Sequence, residues 1–338
     1  MSATATTTAK TAFESFLESR DDEAWAAAIT SLLRHVHQVD KAAVQIWFSF
    51  YPLSLFHALE KAEDREQLEH RLLLQGKFYL RDQIGSSHTF FYGHRYWPEV
   101  AKAVAEYAAS FNTEAANSLE GQIVTVARSV AERAKIQESL VVGITAVAFM
   151  TITQVGLAAF KAAPAEVLID ARHFKKSPEQ ILREREKDDG QGLLGFLKTV
   201  NKRWTVTYDE NDDSARYKLN NLQDLAWGAA DDQTRNWREI DPRRVEGPIP
   251  VECRSASCGT CWVGVLGGAQ KLSNVAAREG KKIKEFGYID TPEAQPVIRL
   301  ACQAQAYGAV SIVIPPWNGV FGKYLKAQKE TIAKEPPV

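Results

Sequence analysis

The 338-residue sequence predicts an α+β protein of more than one domain, with an all-α N-terminal domain followed by a smaller domain of strands and short helices. Three observations carry this. The length exceeds the roughly 100–200 residues of a typical domain. Apolar residues recur at helical spacing over about 12–162 and at strand spacing after 203. All four cysteines fall in the second region, at Cys253, Cys258, Cys261 and Cys302. The expected division is a helical domain over 10–165, a linker over 166–202 and a cysteine-bearing domain over 203–325.

Each helix has its own signal. Asp21 and Asp22 can cap a helix whose Trp25, Ile29, Leu32, Leu33 and Val36 recur at 3.6-residue spacing. Pro52 and Pro98 sit where a first turn begins, and Val100, Val104 and Tyr107 share one side of the helix that Pro98 opens. Ile123, Val126, Val130 and Ala134 mark a longer helix expected to start near Thr113. The region reads as a helical bundle. The aromatic run 46–51 reads as core.

Val141 to Phe160 is 20 residues without a charge, long enough to cross a hydrocarbon layer. Its Thr145, Thr151, Thr153 and Gln154 spread around the helix, which favours a buried bundle helix and leaves membrane association through 141–160 as the disfavoured alternative.

Six of the seven histidines lie in the helical region: His35, His37, His57, His70, His88 and His94. No pair has the three- or four-residue spacing that chelation from one helix requires, and no Glu-x-x-His motif occurs there. They read as ordinary core or surface histidines, with a haem between two helices as the alternative. The loop Ser86–Trp97, rich in aromatics and holding His88 and His94, suits an interface.

In the linker, Ser177-Pro178-Glu179-Gln180 is a helix start, and Gly190 and Gly192 predict a break that would let residues 198–338 fold alone. Leu193 to Leu197 is a short apolar patch that could pin the linker to either domain. Beyond it, 204–208 and 215–219 read as a hairpin around an acidic turn, a short helix is expected over about 221–230, and 262–266 and 310–314 read as strands. The tail 315–325 carries three aromatics and is expected to pack on something.

The cysteines have the spacing C-x4-C-x2-C, then a fourth after 40 residues. Three ligands from one tight loop and one from afar suit a small buried cluster, and the small polar residues from Arg254 to Thr260 allow backbone N–H groups to face the sulfurs. A disulfide framework has no use for this arrangement. Zinc stays as an alternative, although such sites usually pair two C-x2-C knuckles and one is present here.

This spacing and the strand order resemble the plant-type [2Fe-2S] ferredoxin family over about 203–316. The resemblance implies a β-grasp fold, a [2Fe-2S] cluster held by Cys253, Cys258, Cys261 and Cys302, and one-electron transfer. Three departures stand out: Ala256 replaces the usual Gly, Gly259 resembles iron-sulfur subunits of succinate dehydrogenases, and 231–251 is long.

Charge is balanced, with 41 basic and 42 acidic residues overall and 15 of each from 203 to 325, so no nucleic-acid partner is expected. The small polar N-terminus lacks the apolar core of a secretory signal, and the cytoplasm is the expected compartment. No dinucleotide-binding or Walker A motif occurs, so a complete reductase is not expected. The expected role is an electron carrier whose helical module docks to a redox partner protein or a larger oxidoreductase complex. The alternatives are an iron-sulfur subunit of an oxidoreductase with a second site around His88 and His94, or a cluster-based redox sensor.

Overall fold

The structure, a computed structural model, describes residues 10–113, 118–191, 202–288 and 295–332. The patch at 193–197 lies outside them. The chain divides into two compact units, Met1–Lys41 with Leu80–Leu168, and Ala42–Tyr79 with Ile169–Val338.

The first unit is helical, with main helices at Ala12–Glu18, Asp22–Leu32, Trp97–Ala109, Leu119–Ala134, Ser139–Val155 and Leu157–Ala162. Asp21 caps the second of these, as its position predicts. The helix expected from Thr113 starts instead at Leu119, because the side chain of Ser118 accepts the Gly121 N–H and sets the cap there. Ser139–Val155 is buried nearly all round. Its Thr145 and Thr151 hydroxyls donate to the carbonyls of Val141 and Val147, each at 2.7 Å, so neither of these buried hydroxyls is left to the apolar surroundings. The apolar segment 141–160 is not one helix: it stops at Val155, turns at Gly156 (φ 82°) and restarts at Leu157, whose N–H bonds Glu14.

Among the described residues the one helical stretch long and apolar enough to cross a membrane is a different one, Gln38–Glu60, and most of its apolar window is buried. Pro52 interrupts it between the helices Gln38–Phe50 and Leu53–Glu60.

Among the described residues the second unit has seven strands: β1 (Gln75–Gly76), β2 (Arg203–Thr207), β3 (Arg216–Asn220), β4 (Trp262–Gly267), β5 (Ile298–Leu300), β6 (Val310–Val313) and β7 (Trp317–Asn318). Five form a mixed sheet in the order β3-β2-β6-β4-β5, with β2 and β6 parallel and the other neighbours antiparallel. β2 and β3 alternate buried and outward residues, as a sheet with one covered face requires. β1 and β7 pair antiparallel as a separate ladder, Gln75 opposite Asn318 and Gly76 opposite Trp317.

Residues 42–79, expected in the helical domain, build the core of this unit. Gly264 of β4 lies so close to the helix Gln38–Phe50 that a Cβ there would stand 2.5 Å from Cγ2 of Ile46. The Phe50 ring meets Trp262 edge-on at 5.3 Å, and the Leu72 carbonyl accepts the Val320 N–H. The expected linker is also tied in. Ser177 caps Pro178–Glu186, as expected. Arg185 of that helix forms a bidentate pair with Glu210 (both contacts 2.8 Å), and Asp189 accepts from both the backbone N–H and the hydroxyl of Thr205.

Candidate metal centre

The first three cysteines lie on the loop that runs into β4, and Cys302 follows β5. Antiparallel pairing sets Trp262 opposite Leu300, and the Ala301 N–H donates to the Cys261 carbonyl at 2.8 Å. Two strands therefore carry the distant fourth cysteine to the third. Cys261 and Cys302 are buried, whereas Cys253 and Cys258 are half-buried.

The loop is wound tightly. Arg254 and Ala256 adopt left-handed backbone (φ 50° and 55°), as does Gly259 at 77°. For a residue with a Cβ this costs roughly 1–2 kcal/mol. The curl turns backbone donors inward: Ser257 and Cys258 N–H groups meet the Cys253 sulfur at 3.2 and 3.3 Å, and the Thr260 N–H meets that of Cys258 at 3.5 Å. Gln303 Nε2 lies 3.5 Å from the Cys302 sulfur. Such donors stabilise negative charge on sulfur.

The thiols meet in two pairs, Cys253 with Cys258 and Cys261 with Cys302. In each pair one is held low and the other high. The bond from Cys261 is the main cause that lowers Cys302, to about 6, with Gln303 and the Ala256 N–H assisting against burial. That same bond, then burial, raises Cys261. Burial pushes Cys253 up, but the Ser255 N–H, the Cys258 thiol and the Ser257 N–H together outweigh it and bring the group to about 7. Cys258 is raised, chiefly by burial. Thiolate is the ligating form, so the site favours two of its four ligands in advance. Among the described residues no three His, Cys, Asp or Glu side chains are grouped to hold a single metal ion. Two thiol pairs suit two metal centres better than the one tetrahedral ion of a zinc knuckle.

Aromatic packing supports the loop from behind. Trp262 stacks on Tyr288 at 4.0 Å and 3°, and the Tyr288 hydroxyl donates to the Gly259 carbonyl at 2.7 Å. Behind Cys302, buried Arg299 pairs with buried Glu279 at 2.9 Å and 3.0 Å, donates to the Ser273 carbonyl, and the same carboxylate accepts the Leu300 N–H. Glu279 carries no sequence signal, because one acid in a charged amphipathic helix reads as solvent-facing.

The histidines are placed otherwise than chelation spacing suggests. His88 and His94, six apart, meet in the first unit with their Nδ1 atoms 2.9 Å apart. His94 Nε2 accepts the Leu168 N–H, so His94 carries its proton on Nδ1 and donates it to His88. His35 lies by Glu120 and the His37 ring accepts the Val39 N–H.

A sheet that brings one cysteine across to a three-cysteine loop, with N–H groups turned to sulfur, defines the class of iron-sulfur proteins with a mixed-sheet scaffold. Residues 240–307, which include all four cysteines, match the 2Fe-2S iron-sulfur cluster binding domain family. The C-terminal part of the chain is thus a ferredoxin-type 2Fe-2S domain, of a family that binds a 2Fe-2S cluster. No curated protein and no solved structure matches the chain.

Proposed function

We propose that the chain is an electron-transfer protein in which Cys253, Cys258, Cys261 and Cys302 hold a 2Fe-2S cluster on a β-grasp sheet. The observation that carries the reading is the pairing of the thiols, two by two, within a loop that aims backbone N–H groups at them. When bound, the cluster supplies a site that gains and loses one electron. The chain's own residues do the rest. The pair Cys253 and Cys258 and the pair Cys261 and Cys302 would hold the cluster. The N–H groups of Ser257, Cys258 and Thr260 offset the added negative charge, and the Trp262–Tyr288 stack and the Glu279–Arg299 pair fix the two ligand segments. Cys253 and Cys258, half-buried, form the exposed edge where an electron enters or leaves.

The carrier delivers to a redox partner protein or larger oxidoreductase complex, with the cytoplasm as a compartment that keeps thiols reduced. The test is iron and acid-labile sulfide per chain together with the EPR spectrum of the reduced protein. Two irons and two sulfides with a single rhombic signal are expected; stoichiometric zinc without sulfide would refute the assignment.

A further inference from the structure

We infer that the basic face of helix Ala277–Phe286, continued by Lys323, is the docking surface for a redox protein with an acidic contact patch. The inference rests on the electron-transfer reading and adds the kind of partner.

The helix is locked to the thiol loop at both ends. Its Arg278 Nη2 reaches the Ser257 hydroxyl at 3.3 Å, and the Ser257 N–H is itself 3.2 Å from the Cys253 sulfur. At the other end the Phe286 ring lies under Gly259, where a Cβ would stand 2.9 Å from it. Ile283 and Phe286 face inward with Glu279, whose charge Arg299 cancels. The outward side is left with Arg278, Lys281 and Lys282, at i, i+3 and i+4, with exposed Lys284, and with one acid, Glu285.

Lys282 contacts Glu285 at 2.5 Å, Lys281 at 3.9 Å, and Lys323 of the following helix, Gly322–Ile332, also acts on it. Three ammonium groups thus share one carboxylate, with Arg278 beyond them at the loop. The excess is local. On the loop's other flank Arg254 pairs with Glu246, further along Lys326 faces Glu330 at 3.9 Å, and residues 203–325 as a whole are balanced. A compact cationic spot beside the half-buried sulfurs steers an anionic patch to the place where an electron can leave. A nucleic acid or an anionic membrane would be met by a longer run of cations.

The probes are cytochrome c, a basic haem protein, and succinylated cytochrome c, the same protein with its lysines made acidic. Reduced full-length protein is mixed with each at an ionic strength of about 0.01 M, where the screening length is roughly 30 Å. The succinylated form should be reduced roughly tenfold faster, and salt should erase the difference. The double variant Lys281→Glu with Lys323→Glu should lose or invert the preference while keeping its 2Fe-2S spectrum. Arg183→Glu with Lys187→Glu, on and just after the helix packed at the far end of β4, should keep it. Equal rates for the two cytochromes, or a preference that survives the Lys281/Lys323 reversal, would overturn the inference. So would binding to phosphatidylserine vesicles or DNA that this reversal abolishes without any cytochrome preference. Absence of the cluster spectrum in the unaltered chain would instead refute the electron-transfer reading.

Discussion

The indole Nε1–H of Trp317 donates to the Phe50 carbonyl at 2.5 Å, while the Trp317 carbonyl accepts the Nε1–H of Trp262 at 3.0 Å. One tryptophan joins residue 50 to the residue that follows Cys261. The fragment 198–338 lacks Ile46, Phe50 and the β1 partner of β7, and would expose the apolar faces of Trp262 and Trp317. Expressed alone it should be recovered mainly as insoluble protein, unlike the full chain. In the full chain Phe50→Ala should cost about 3–5 kcal/mol in denaturant unfolding. A soluble fragment with a full complement of iron would show that these contacts are dispensable.

Cys258→Ser should remove most of the iron and sulfide, because Cys253 is then left without its paired thiol. Loss of the metal should also lower the stability of the unit that carries the loop. Iron and sulfide analysis with thermal unfolding by circular dichroism checks both effects, and an unchanged metal content would exclude Cys258 as a ligand.

Glu279→Gln leaves Arg299 buried without its counter-ion. A broken buried pair typically costs about 3–5 kcal/mol, whereas replacing both partners by apolar residues costs far less. Urea unfolding should therefore show Glu279→Gln well below the double variant Glu279→Leu with Arg299→Met. Cluster loss in a chelator should follow the same order, since the carboxylate also holds the Leu300 N–H two residues before Cys302.

His88 and His94 are both lowered, chiefly by burial, then His88 by the charge of His94 and His94 by that of Arg95, His94 to about 4. An unfolded histidine titrates near 6.5. Folding therefore favours the neutral forms, and that stability is complete above about pH 6.5 and lost as pH falls toward 4. The contribution of His94 is of order 2–3 kcal/mol across this window. Unfolding free energies at pH 7.5, 6 and 5 should fall more steeply for the native chain than for a His88→Gln, His94→Gln variant; equal slopes would contradict the neutral pair.

Ala256 holds a left-handed conformation that glycine reaches without steric cost. Ala256→Gly should be neutral or stabilising by up to about 1 kcal/mol, because relief of strain outweighs the added freedom of the unfolded chain. Ala256→Val should be destabilising. Thermal midpoints of the two variants measure the difference.

The thiol loop was legible in the sequence because its ligands are local: Cys253, Cys258 and Cys261 encode a turn by spacing alone, and the misfit of Ala256 pointed to the backbone the loop adopts. The place of Ala42–Tyr79 was not. An apolar helix shows which of its sides is buried but not against what, and Ile46 meets Gly264 across more than two hundred residues. The His88–His94 contact escaped for another reason. Helical spacing is the wrong ruler in a segment of turns and 3₁₀ helix, where residues six apart can fold back on each other.

The first unit, Leu80–Leu168 with the N-terminal segment, is complete in the chain before the sheet of the second begins. Phe50 must wait 267 residues for Trp317. At synthesis rates of about 5–20 residues per second, that interval is on the order of tens of seconds. During it Ile46 and Phe50 have no sheet to cover them, so hydrophobic surface is offered to chaperones or to other nascent chains. A ribosome paused after Leu168 and before Trp317 holds a finished first unit and an apolar helix still without its partner.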